Sequence, residues 1–134
     1  MTRTVIKFAT AALLAGMMAM PVSAFAGGRI SFDLAPRNSR DAAIFSTGLR
    51  AYSLFRGIKD GDIRQLGNGN AAGLAQAGRG NLGIIQQQGN GNRGTLRQNG
   101  NNNAYGLFQY GRNNDDEIVQ SGDNRSGATF SFGW

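Results

Sequence analysis

Ile63-Arg64-Gln65-Leu66-Gly67-Asn68-Gly69-Asn70 opens a stretch that returns in the same frame every eleven residues as far as Arg125. Glutamine recurs at Gln65, Gln76, Gln87, Gln98, Gln109 and Gln120. Glycine follows each by two places, at Gly67, Gly78, Gly89, Gly100, Gly111 and Gly122. Asparagine follows five of them by five places, at Asn70, Asn81, Asn92, Asn103 and Asn114. In the sixth unit Arg125 stands there, with Asn124 one place early. The chain has eight glutamines, so six in one frame is register rather than composition. A fixed period this short means stacked copies of one structural unit.

Two places before each glutamine stands a branched aliphatic: Ile63, Leu74, Ile85, Leu96, Leu107 and Ile118. Residues i and i+2 of a strand share a face, so the aliphatic and the glutamine point the same way, into an interior. Two places earlier again the residue is mostly small (Ala72, Gly83, Gly94, with Tyr105 and Asp116 as departures), which suits an interior that is tight where the strand begins. The places flanking each glutamine vary in chemistry, as an outward face does. The Gly-x-x-Asn that follows is a turn, because glycine tolerates positive φ and asparagine can bond its own backbone.

Each unit is then a strand of about five residues and a turn. Two units bring the chain back above its start, so residue i lies over i+22. The columns agree: Ile63, Ile85 and Leu107 align, as do Leu74, Leu96 and Ile118. Gln65, Gln87 and Gln109 form one ladder and Gln76, Gln98 and Gln120 the other, and Asn70, Asn81, Asn92, Asn103 and Asn114 are expected to stack with them, amides bonding side chain to side chain along the axis. The expected fold is all-β: a short β-solenoid of about three 22-residue coils, with an N-terminal helix as cap. At about 4.8 Å per coil its height is about 15 Å. A disordered low-complexity linker would show the composition without the register.

The flanks read differently. Residues 1–26 have the form of a signal peptide: Arg3 and Lys7, an apolar run from Phe8 to Met20, then Ala24-Phe25-Ala26 as a cleavage site. The apolar run falls short of the roughly 20 residues of a spanning helix, so no membrane span is expected after cleavage. Residues 27–62 form an N-terminal segment. In it Ile30-Ser31-Phe32-Asp33-Leu34 alternates as a short strand does. Ile44, Phe45, Leu49, Tyr52 and Phe55 recur at helical spacing, predicting a helix over 40–58 that Ser39 could cap and Gly57 stop. Repeat proteins need covered ends, so this helix is read as an end cap; a docking helix for an export or assembly partner is the alternative. Residues 63–127 are the repeats. Residues 128–134 continue the frame as an aromatic strand, with Thr129 over Leu107, Phe130 over Phe108 and Phe132 over Tyr110. Those rings either close the solenoid end or bind matrix polysaccharide.

Cysteine and histidine are both absent, which removes disulfides and His/Cys metal sites from the sources of stability. No nucleophile–base arrangement can be built from the remaining groups, so no enzyme and no cofactor is expected. The net charge of +6 falls by two when Arg3 and Lys7 leave with residues 1–26. The remaining arginines are scattered, which predicts solubility or loose adhesion to anionic surfaces and no specific nucleic-acid site. A calcium-binding repeat would need aspartate where these turns carry asparagine.

The pattern aliphatic-x-Gln-x-Gly-x-x-Asn, doubled into a 22-residue coil behind a signal peptide, resembles the curlin repeat of bacterial curli amyloid subunits, over roughly Ile63 to Arg125. The resemblance implies a secreted, cell-surface-associated β-solenoid that polymerises into extracellular fibres of the biofilm matrix. It implies other curli subunits and an outer-membrane export machinery as partners. Residues 27–62 depart from the Gly-rich targeting segment of the best-known major subunits. The basic balance leans toward a minor or nucleator-like subunit.

Open solenoid ends carry unpaired backbone groups that template further strands, so fibre growth from end to end is expected. The alternative is a capped monomeric solenoid acting as an adhesin or assembly accessory. Asp115, Asp116 and Glu117 interrupt the fifth unit. They are read either as a gatekeeper, opposing in-register stacking by like charge, or as an exposed turn. Asp116 is expected to face inward.

Overall fold

A computed structural model describes residues 27–134. The expected signal peptide, residues 1–26, lies outside the described residues. The chain forms β1 (Arg29–Leu34), a helix α1 (Ser39–Arg56), then β2 (Gly61–Leu66), β3 (Ala71–Ala77), β4 (Leu82–Asn90), β5 (Arg93–Asn99), β6 (Ala104–Arg112), β7 (Asp115–Ser121) and β8 (Ser126–Gly133).

Strands β2 to β8 wind as a β-solenoid of about three 22-residue coils, as the repeat frame predicts. Alternate strands fall into two parallel stacks, β2-β4-β6-β8 and β3-β5-β7, with β1 added antiparallel outside β8. The register is i over i+22 throughout: Gln65 pairs with Gln87, Leu74 with Leu96 and Leu107 with Thr129. The interior is one aliphatic stripe, with Ile85, Leu96 and Leu107 at most 1% exposed.

The turn glycines are demanded by the stacking as well as by φ. Gly67, Gly78 and Gly89 have φ of 110°, 114° and 128°. A Cβ on any of them would lie within 2.0 Å of the carbonyl oxygen of the glycine one coil later. A second left-handed place follows two residues on, filled by Gly69, Gly80 and Gly91 and then by Asn102, Asn113 and Asn124 at φ near 56°. Asparagine is the side chain most at ease there, which explains the switch between the two residue types.

Helix α1 matches the expected span within two residues at its ends. Its N-cap is Asn38 rather than Ser39: the Asn38 side chain accepts the Asp41 N–H at 2.9 Å. Gly57, at φ 71°, stops it with its N–H on the Leu54 carbonyl. The apolar stripe is divided. Leu49 packs with Ile58 and Phe108 against Leu82, Ile84 and Ala104, while Ile44 and Phe55 are 65% and 88% exposed and Ser53 is buried against the sheet side. Leu82 and Ile84 are outward places of β4, so α1 covers the outer flank of the larger sheet, along β6 and β8. Ser126 Oγ donates to the Ala42 carbonyl at 2.7 Å and fixes the helix there. The covering strand at the coil end is β1. An isolated end cap needs only an amphipathic face, and the sequence could not say that the flank of β4 and β6 was apolar on both sides and needed the helix more.

Candidate functional site

The features that bear on function are the side-chain ladders and the two ends they reach. The first two glutamines of each ladder donate Nε2 to the Oε1 of the glutamine one coil later: Gln65 to Gln87 at 2.8 Å, Gln87 to Gln109 at 2.7 Å, Gln76 to Gln98 at 2.8 Å and Gln98 to Gln120 at 2.9 Å. The second Nε2 hydrogen crosses the interior to a backbone carbonyl sixteen residues earlier, as from Gln87 to Ala71 and from Gln98 to Leu82. The interior amides are thus satisfied along the axis and across it, which removes the penalty of burying Gln87, Gln98 and Gln109 completely.

The asparagine columns work differently from the expected side-chain ladder. Asn70 Oδ1 accepts the Asn92 N–H, and Asn81 Oδ1 accepts the Asn103 N–H, both at 3.0 Å. Their Nδ2 groups donate to the Gly89 and Gly100 carbonyls at 2.8 and 2.9 Å. With Oδ1 on a backbone N–H and Nδ2 on a backbone carbonyl, each of these asparagines staples one turn's backbone to the next. Only Asn114 donates its amide to another, Asn92, at 2.9 Å. Because the donor to each Oδ1 is a backbone N–H, Arg125 keeps the contact: its N–H donates to Asn103 Oδ1 at 3.0 Å. The Asn114 Oδ1 is buried without a partner among the described residues.

At the first-coil end the columns stop in the open. Ile63 is 41% and Leu66 55% exposed, and Gln65 and Gln76 are exposed. The Oε1 atoms of Gln65 and Gln76 accept no hydrogen bond among the described residues, and the outer edges of β2 and β3 pair with no described strand.

The last-coil end changes chemistry before it is covered. On the larger sheet the aliphatic column runs Ile63, Ile85, Leu107, Thr129 and then Asp33 of β1. The glutamine column runs Gln65, Gln87, Gln109, Ser131 and then Ser31. Strand β1 therefore inverts the repeat rule. Its inner places Arg29, Ser31 and Asp33 are polar and exposed, and its outer places Ile30, Phe32 and Leu34 are half-buried. Tyr105 Oη lies 2.8 Å from Thr129 Oγ1, which donates to Asp33 Oδ1 at 2.6 Å, and Ser31 and Ser131 hydroxyls lie 3.0 Å apart. Burial pushes the Tyr105 phenol up; the Thr129 hydrogen bond opposes this, and the charges of Asp33 and Asp116 add to it.

The acidic triplet splits. Asp116 faces inward as expected and is 7% exposed, accepting from Gln109 Nε2 at 2.6 Å and pairing with Arg29 at 3.2 Å. Arg29 also donates to the Asp115 carbonyl. The Asp115 and Glu117 side chains point outward and are exposed. Asp116 takes the place of a further glutamine as acceptor at the top of one ladder, and its charge is met within the molecule. The residues that sequence reasoning did not single out, Arg29, Ser31 and Asp33, carry no repeat signal. Only their alternation of polar and apolar was readable.

The C-terminal aromatics stack as the frame predicts, Phe108 on Phe130 at 4.9 Å and Tyr110 on Phe132 at 5.4 Å between ring centroids. Phe32 meets Phe132 edge to face at 6.4 Å. The stacks lie on the outer face of the larger sheet, where Phe132 is 38% exposed. Comparison with protein-family models, curated proteins and solved structures returned no match.

Proposed function

We propose that this chain is a secreted curli-like fibre subunit that joins a growing solenoid end through its first coil. Fibres of such subunits would build extracellular matrix and mediate adhesion. The observation that carries this reading is the first-coil end, where two aliphatic columns and two glutamine ladders stop with no described residue over them and their Oε1 acceptors unused among the described residues. A strand edge with its side-chain columns exposed is a template for another strand of the same pattern. Residues 27–134, incubated alone and with preformed fibre seeds, are expected to form fibres that bind amyloid dyes and diffract near the ~4.8 Å cross-β spacing. A protein that stayed monomeric for days with seeds present would end this reading.

The covering of β8 by β1 favours a second reading, that of a nucleator, accessory or capped adhesin. Such a molecule would bind one fibre end and go no further. Seeding separates the two: a fibre subunit elongates seeds continuously, while an accessory adds once and stops.

A further inference from the structure

From β2 to β8 the solenoid has seven strands in one frame, an odd number. Continuation of the coil by a second copy therefore lays that copy's β2 on β7 and its β3 on β8, the copy turned by half a revolution about the axis. On the smaller sheet the columns match: the incoming Ile63 falls on Ile118, Gln65 on Gln120 and Gly61 on Asp116. Gln120 Nε2 donates to no described residue, and it is what the free Gln65 Oε1 of the incoming copy lacks. The outer edge of β7 pairs with no described strand, whereas the outer edge of β8 carries β1.

We infer that the outer edge of β8 is a second strand-docking edge for another copy of this chain, hidden beneath β1 in the isolated molecule. This rests on the fibre reading above. Among the described strand pairs β1–β8 alone is antiparallel, so β1 lies outside the coil path. Its inner face of Arg29, Ser31 and Asp33 is exposed because the smaller sheet extends no further. An incoming β3 would replace the backbone bonds of β1 one for one and set Leu74 and Gln76 over Thr129 and Ser131. Strand exchange then gains the burial of two open columns and gives up the ties of Arg29 to Asp116 and of Asp33 to Thr129. Arg29 also sits on the Asp115 carbonyl at the start of β7, so departure of β1 frees both edges together. A groove of about 580 Å³ between residues 35–38 and β7, lined by Pro36, Arg37, Val119 and Gln120, gives the incoming chain room beside β7.

The test is a disulfide that holds β1 down. Gly28 and Trp134 exchange both backbone bonds at 3.0 Å, and alternation from that pair makes Ser31–Ser131 a non-hydrogen-bonded pair. Side chains are closest at such pairs, and the Cα spacing suits a disulfide. The chain contains no other cysteine. Residues 27–134 carrying Ser31→Cys and Ser131→Cys are expected to elongate wild-type seeds normally when reduced and at least about tenfold more slowly when oxidised. At substoichiometric amounts the oxidised protein should also arrest wild-type growth, because its first coil can join an end and its β1 cannot leave. Equal elongation in both redox states would overturn the hidden edge and leave the fibre reading standing; wild-type protein that never elongates would sink both. A second variant, Phe32→Ser, weakens β1 without a crosslink and should shorten the lag at least about threefold. An unchanged lag would count equally against the inference.

Discussion

The first coil and the last coil are built from the same eleven-residue frame and end the molecule in opposite ways. At β2 and β3 the columns are at full strength, Ile63 and Leu74 with Gln65 and Gln76, and nothing among the described residues lies over them. At β8 the same columns have become Thr129 and Ser131, then Asp33 and Ser31 of an added strand. One end keeps the chemistry that attracts another strand and the other dilutes it with hydroxyls and charge. A solenoid ends by changing what its interior columns are made of, and a strand laid over the edge completes the change.

The largest effect should come from the glycine that binds the first coil to the second. A Cβ at Gly67 would lie 1.9 Å from the Gly89 carbonyl oxygen, whereas one at Gly122 would meet the Arg125 side chain at 2.9 Å, with no coil behind it. Gly67→Ala is expected to cost about 4 kcal/mol or more and Gly122→Ala about 1 kcal/mol, from φ strain alone. Urea unfolding compares them; equal losses would show that the two turns are gripped alike. Next in size, Leu107→Ala empties a site that is fully buried and should cost about 3 kcal/mol, while Ile63→Ala in the same column, at 41% exposure, should cost about 1 kcal/mol. The gap should close when fibres rather than monomers are unfolded, because assembly buries Ile63. A gap that persisted in fibres would place Ile63 outside the join.

Smaller effects should appear at β1. Asp116→Ala removes the Arg29 ion pair and one Gln109 hydrogen bond. Arg29 is more than a third exposed, so the loss should be only about 1 kcal/mol, read as faster amide exchange confined to β1 and its partner strand. Exchange that rose across all strands equally would mean that β1 does not open on its own. The smallest effect is alkaline. The raised Tyr105 phenol is held neutral in the fold, so the stability it contributes is intact below about pH 10 and is lost as pH rises through the raised value. Ionisation there sets a phenolate against Asp33 and Asp116. Stability should therefore fall less steeply above that pH in Tyr105→Phe than in wild type; parallel curves would exclude the coupling.

Most of the coil was legible because a stacked repeat writes its geometry in its spacing. The inward aliphatics, the glutamine ladders, the turn glycines and the frame of Phe130 over Phe108 all follow from one period. The asparagine columns were legible as residues and misread as contacts, since their register is the same whether the amide bonds another amide or the backbone. The ends were the least legible. Ser31 and Asp33 have no partner until Ser131 and Thr129 are brought beside them from the far end of the chain. Ile44 and Leu49 look equivalent by helical spacing, and only the sheet decides that Leu49 is the one covered.

The sequence by itself determined the period, the coil and the inward columns, because strand alternation and stacking are local rules repeated in register. Tertiary structure alone decided that α1 lies on the flank, that β1 covers β8, and that the first coil is the uncovered end. Those outcomes depend on which surfaces remain apolar and unpaired once the coil has closed, and no spacing along the chain records that.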